Sequence, residues 1–274
     1  MSVRTGKLLL VTGALVLFVL LYIAPKLNPV SDSEAGEKKA NATAANTSAT
    51  LEVYYNAAIK TLAPASKQQL DKFMASGQTD SMIGVWDRNK RPDLAAHLTE
   101  AQAAKRNTAD AWFKAGNRYY YSVPFTQDQS EVPVLYQSAM RCFNKGLKLD
   151  PKDTDARIML ASCYVEGTSN PMEGVSLLKT IEKTDSNNVK LQLTFAFFSV
   201  KSGQLDKAIA RFNKVLQIDP AYIEAYLHLA DAYEQQGNTG QTIRMLEAYS
   251  SKTPDITAKL EIDKYIQQLK QNNN

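Results

Sequence analysis

The sequence predicts an all-α chain, a solenoid of stacked helix–turn–helix units behind an N-terminal transmembrane helix. Three observations carry that reading. An uncharged apolar stretch, Leu8 to Pro25, sits between Lys7 and Lys26. The tripeptides Leu149-Asp150-Pro151 and Ile218-Asp219-Pro220 recur, and Lys252-Thr253-Pro254 follows 34 residues after the second. Ahead of these boundaries, small and apolar residues fall at spacings of three and four, the period of one helix face.

The N-terminal residues 1–26 are expected to be a membrane anchor. As a helix, Leu8 to Pro25 would extend about 27 Å at 1.5 Å per residue, close to the hydrocarbon thickness of about 30 Å. A cleaved secretory signal is the competing reading. Against it, the apolar core exceeds the usual 7–15 residues and no small-residue cleavage site follows. Arg4 and Lys7 favour a cytoplasmic N-terminus. The rest of the chain is then expected outside the cytoplasm, in the periplasm if the source is bacterial. Residues 27–50 are small and polar without apolar period, and predict a flexible tether.

Residues 51–108 hold further helical signals. LEVYYNAAIKTL and KQQLDKFMA are two, and DSMIGVWDRNK with PDLAAHLTEAQAAKR reads as a degenerate helix pair. These are expected to cap or extend the N-terminal end of the stack.

Residues 109–256 divide into four units. Their first helices carry Trp112, Ala115, Gly116 and Tyr119; then Arg157, Leu160, Ala161 and Tyr164; then Gln192, Phe195, Ala196 and Ser199; then Tyr226, Leu229, Ala230 and Tyr233. A small residue recurs in the middle of each, where it lets the partner helix approach closely. Second helices carry Ala139, Phe143 and Gly146 before Pro151, and Ala208, Phe212 and Val215 before Pro220. Gly203 and Gly237 stand where first helices must stop.

This pattern resembles the tetratricopeptide repeat (TPR) family, whose unit is about 34 residues of helix–turn–helix. Residues 189–222 and 223–256 have the family length without a gap, and GQLDKAIARFNKVLQIDP over 203–220 is a close match. The first unit departs from it. Gly116 and Ala139 are 23 residues apart, against 12 for Ala196 and Ala208, so about eleven extra residues fall around 121–131. The second unit has one extra residue near Ser169-Asn170-Pro171 and Gly174 where Ala is usual. The fourth has Thr242 and Tyr249 at its small-residue positions, which predicts looser packing. Residues 257–274 hold an amphipathic helix with Leu260, Ile262, Tyr265, Ile266 and Leu269, the capping helix a solenoid needs on its last face.

By that resemblance, first helices line a concave surface that binds a peptide or helix of a partner protein. Counting from each unit's start gives Phe113, Asn117 and Tyr120; Ile158, Ser162 and Val165; Leu193, Phe197 and Val200; Leu227, Asp231 and Glu234. For Phe113, Leu193 and Leu227, support of helix packing is the alternative role. Some TPR domains hold a terminal carboxylate with a Lys and an Asn four residues apart. Asn117 matches the Asn, but Phe113 occupies the Lys position, which argues against such a clamp. The 121–131 insertion, bounded by Pro124 and Pro133, is a second binding candidate.

Composition narrows the function classes. With 44% hydrophobic and 22% charged residues the chain reads as folded. Its 32 Lys and Arg are interspersed with 28 Asp and Glu, so no basic stripe suits nucleic acid. Cys142, Cys163, His97 and His228 lack metal-ligand spacing. No phosphate loop, GxSxG or HExxH pattern is present, so no metal, cofactor or catalytic residue is expected. The expectation is a membrane-tethered protein-binding scaffold. Self-association through the repeats, as a structural component of an envelope complex, and a place as accessory subunit of an enzyme stay open as alternatives.

Overall fold

Side-chain caps and left-handed glycines set the helix boundaries, and they recur from unit to unit. In the computed structural model, residues 53–126 and 128–272 are described. The expected anchor, Leu8 to Pro25, and the tether, 27–50, lie outside the described residues. Among the described residues every regular element is a helix, and none is long and apolar enough to cross a membrane.

Four helices precede the repeats: α1 (residues 53–61), α2 (Pro64–Ala75), α3 (Thr79–Arg88) and α4 (Pro92–Arg106). They share a core of Tyr55, Leu70, Val85, Trp86 and Leu94. The Tyr55 ring meets Trp86 edge-on at 5.4 Å. α4 packs on the first repeat helix, so these helices extend the stack at its N-terminal end.

The repeats follow as pairs: α5 (Ala109–Ser122) with α6 (Val132–Leu149), α7 (Thr154–Gly167) with α8 (Pro171–Thr184), α9 (Val189–Lys201) with α10 (Leu205–Ile218), and α11 (Glu224–Gln235) with α12 (Thr239–Lys252). The cap is α13 (Ile256–Asn272). Three first helices begin alike: the amides of Ala111, Ala156 and Leu191 donate to the side chains of Thr108, Asp153 and Asn188. Each such cap contributes about 1 kcal/mol. Gly203 and Gly237 have φ of 71° and 74°, a region costly for residues with a Cβ. Their backbone bonds match too: Gly203 N–H donates to Val200 O and Gln204 N–H to Ser199 O, while Gly237 and Asn238 repeat this on Glu234 and Tyr233. Asp150 and Asp219 are turn residues, accepting from the amides of Lys152 and Ala221.

The small residues are buried as the pattern requires. Ala115, Ala161, Ala196 and Ala230 all lie in the core. A Cβ on Gly116 would stand 2.9 Å from the Phe143 ring. Apolar clusters follow one another along the chain, each between neighbouring helices: one around Phe143, then Ile158–Leu178–Leu191, then Ala196–Phe212–Leu229, then Ala230–Leu246–Ile266. Thr242, expected to loosen the fourth unit, is buried with its hydroxyl satisfied by Asn238 O. In α13, Ile262, Tyr265, Ile266 and Leu269 pack on the last pair, but Leu260 does not; it is exposed.

The second unit explains its own departure. At Gly174, α8 closes so tightly on α7 that a Cβ would collide with the Ala161 carbonyl oxygen and stand 2.7 Å from Val165 Cγ2. Gly174→Ala gains up to about 1 kcal/mol of helix propensity. It forces apart two helix backbones, and overpacking of that kind costs about 1–3 kcal/mol. Since a carbonyl cannot rotate away, the net result expected is a lower melting temperature. A variant that melts at or above the parent would show that the two helices separate freely.

Candidate protein-binding surface

On the first helices α5, α9 and α11, one face is buried against its neighbours and part of the other is uncovered. In α5, Ala111, Trp112, Ala115, Gly116, Tyr119 and Ser122 are buried. The uncovered face carries Asp110, Phe113, Lys114, Asn117, Arg118 and Tyr121, at spacings of three and four. With Pro92 and Phe125 these side chains line an open cleft of about 510 Å³. Phe113 is half-buried, its ring lying over Gly146 where no Cβ would fit, and Asn117 is half-buried in the same cleft.

Tyr120 points elsewhere. Its hydroxyl donates to Glu166 Oε2 at 2.6 Å, and burial together with that carboxylate pushes its pKa far up. Glu166 also accepts from Tyr136 at 3.4 Å and Lys201 at 3.3 Å. Lys190 pairs with Asp155 at 3.1 Å. These two ion pairs bind α7 to α9 across the face, and use up charges a ligand could have met.

The expected groove positions of the second unit need correcting. Ile158 is fully buried against Leu178, Ile181 and Leu191, and Ser162 is buried with its hydroxyl donating to Ile158 O at 3.1 Å. The physical reason is the tight seating of α8 at Gly174 and the approach of α9 to α7, which together cover this part of α7. Counting positions assumes equal spacing between units, and this unit is not equally spaced.

The third and fourth units keep their surface. Phe197 is 43% exposed. Its ring stands edge-on to His228 at 4.8 Å and to buried Phe212 at 5.5 Å, while His228 stacks on Phe212 at 5.2 Å. Burial lowers the His228 pKa, opposed by Asp231 and Glu224. Leu193 and Val200 are half-buried against Phe212 and Leu229, and Leu227 against Leu246. These leucines thus serve packing as well as the surface. Asp231 is exposed and accepts from Gln235; Glu234 is exposed and accepts from Tyr265.

Residue counting missed Lys114, Arg118 and His228, and reached Tyr121 and Phe125 only as part of the insertion. Their i, i+3, i+4 spacing along α5 was a usable signal for the first two. Among the described residues no group of three or more His, Cys, Asp or Glu could hold a metal ion. Cys142 and Cys163 are unpaired and buried, and burial raises both thiol pKa values.

Repeated helix pairs with these caps, small-residue contacts and a shared uncovered face narrow the comparison, and the family model of the TPR repeat matches residues 200–237. Residues 200–237 thus form a TPR repeat by that model, and the helix pairs on either side are similar to the tetratricopeptide repeat family. A thermophilic TPR protein of Thermus thermophilus superposes with a TM-score of 0.50 at 16% identity, covering 70% of this chain and 97% of that one. PilW, a widely conserved type IV pilus biogenesis factor, gives 0.50 at 17% identity over 72% of this chain and 87% of its own. At such identities the likeness concerns the fold. Superkiller protein 3 of Schizosaccharomyces pombe is 27% identical over 125 residues, or 43% of this chain. The chain spans only 9% of that relative's length. TPR proteins in general bind protein or peptide partners and are scaffolds, not enzymes.

Proposed function

We propose that this TPR chain is a membrane-tethered scaffold that holds an extended peptide or a helix of a partner protein on the surface of its first helices. One observation carries the reading: Phe197 is exposed yet held edge-on by Phe212 and His228. An aromatic ring fixed in place before binding loses little rotamer entropy when it meets a ligand, and such rings are the usual energetic anchors of interfaces. Asp231 and Glu224 on α11 give the adjoining surface an acidic margin.

Membrane attachment through Leu8 to Pro25 belongs to the same proposal and rests on the apolar, uncharged sequence there. The N-terminus lies in the cytoplasm and the repeats on the other side, in the periplasm of a bacterial cell. A reporter fused after Asn274 should be active only outside the cytoplasm; a cytoplasmic signal overturns this orientation.

The test of the surface uses the full chain in detergent as bait, with captured proteins identified by mass spectrometry. Phe197→Ala is expected to weaken capture of a reproducible partner about tenfold, or roughly 1.4 kcal/mol. Partner capture indifferent to Phe197→Ala rejects this surface. Recovery of the chain alone points to self-association, for which Ile256 (74% exposed) and Leu260 (65%) on the outer side of α13 are the available apolar contacts.

A further inference from the structure

The described residues of the first repeat's insertion, 121–126 and 128–131, build a wall beside the cleft. They form two short 3-10 turns, Val123–Phe125 and Gln129–Glu131. The Thr126 hydroxyl donates to Glu131 Oε2 at 2.7 Å, and Ser130 N–H donates to Asp128 at 2.9 Å. Glu131 is itself buried and lies 3.7 Å from Arg91, which also makes a 2.6 Å ion pair with Asp93 at the start of α4. The wall is thereby pinned to the helix whose Pro92 forms part of the cleft.

This pinned wall holds two aromatic rings in solvent: Phe125 is 65% exposed and Tyr121 is 59% exposed. Tyr121 meets the Tyr120 ring edge-on at 5.2 Å and reaches Met159 Sδ with its hydroxyl, yet both it and Phe125 keep more than half their surface in solvent, and exposed apolar patches of that kind mark binding sites. Beside them, Lys114 is exposed and makes no ion pair among the described residues. Arg118 gives only one terminal nitrogen, Nη2, to Asp87, and its Nε is buried without a hydrogen-bond partner. That nitrogen is out of a ligand's reach, so Arg118 offers an arriving carboxylate the positive charge it shares with Asp87, and Lys114 the unshared one. Asp110 is the one acidic side chain among the lining residues; it lies one turn from Lys114, two turns from Arg118 and about 16 Å along the helix from Tyr121. The cleft's volume, about 510 Å³, suits a side chain with its flanking backbone.

We infer that this cleft is a specificity subsite for a partner segment in which an aromatic side chain is followed by a carboxylate. The aromatic ring lies between Phe125, Tyr121 and Phe113; the carboxylate meets Lys114 and Arg118. The inference rests on the scaffold reading for its biological sense, but its site is separate from Phe197. It would distinguish this chain from repeats of regular length, which have no residues to build the wall.

The experiment uses the full chain in detergent and labelled octapeptides of Gly and Ser around a central Phe-Glu-Glu, Phe-Lys-Lys or Ala-Glu-Glu, read by fluorescence anisotropy. Phe-Glu-Glu should bind at least fivefold more tightly than either of the others. Phe125→Ala and Lys114→Ala should each weaken it about fivefold or more, with unchanged circular dichroism and melting temperature, and Phe197→Ala should leave it unaltered. Equal affinity for Phe-Glu-Glu and Phe-Lys-Lys, no measurable binding, or indifference to both cleft substitutions overturns the subsite. Loss of Phe-Glu-Glu binding in Phe197→Ala overturns its separateness. Partner capture that ignores Phe197→Ala rejects the scaffold surface while leaving the peptide result standing, so the two readings fail by different observations.

Discussion

Arg141→Ala is expected to destabilise the chain by about 3–5 kcal/mol, the largest effect of any charge substitution in the repeats. Arg141 on α6 reaches Glu100 on α4 through Nε at 2.9 Å and Nη2 at 2.8 Å, and Glu100 also accepts from the Tyr119 hydroxyl on α5 at 2.8 Å. The pair is nearly out of water, with side chains 11% and 14% exposed. Removal of the guanidinium leaves a buried carboxylate with one neutral donor. The full desolvation cost then stands against the fold, which is why losing one partner is so much worse than losing both. Glu100→Leu with Arg141→Met and Tyr119→Phe, which also removes the hydroxyl that would lose its acceptor, should accordingly recover most of the lost stability.

The pH dependence gives an independent check. Burial pushes the Glu100 carboxyl up, but hydrogen bonds and charge from Arg141, with the Tyr119 hydroxyl, outweigh it, and the net pKa lies below the ordinary 4.5. A carboxyl depressed in the folded state stabilises the fold above its unfolded pKa, and this contribution is lost as pH falls through the lower folded value. In Arg141→Ala, burial, the largest influence, is opposed only by the Tyr119 hydroxyl and the Lys145 charge, and the folded pKa is expected to rise above the unfolded one. The variant's deficit is then greatest at neutral pH and narrows as the solution becomes acid. Urea titrations of both proteins at pH 7 and pH 4 measure the difference directly. A deficit that is constant with pH would mean that Glu100 is solvated in the variant.

The sequence reveals the repeat because each unit uses the same local chemistry. Small residues such as Ala196 and Ala230, aspartates at the turns and glycines with positive φ act within a few residues of their own positions, so counting finds them. The exposure of Phe197 is legible for the same reason: the third and fourth units have regular length. Ile158 and Ser162 are misread because their cover depends on how closely α8 and α9 approach α7, and Gly174 sets the first of those approaches. The cleft on α5 is half legible. The insertion is visible as extra length, but its folding back beside Phe113 depends on Glu131 meeting Arg91 from the helices that precede the repeats, and no local pattern encodes that meeting.

Phe212→Ala joins stability to binding, with an expected loss of about 3–5 kcal/mol from a fully buried aromatic ring. Phe212 fills the space between Ala196, Ala208 and Leu229, and its ring backs both Phe197 and His228. A solenoid is held by contacts between neighbours, so the damage should remain local. Hydrogen exchange should quicken at amides of α9 to α12 while those of α3 to α6 keep their protection. Faster exchange across every helix would mean that the repeats unfold as one unit and that the nearest-neighbour picture is wrong. Phe212→Leu separates the two roles. Leucine refills much of the cavity, so most of the stability should return, but it offers no ring face to His228 and no ring against Phe197. If the fixed aromatic anchor is what a partner recognises, Phe212→Leu will fold nearly as well as the parent and still capture that partner more weakly.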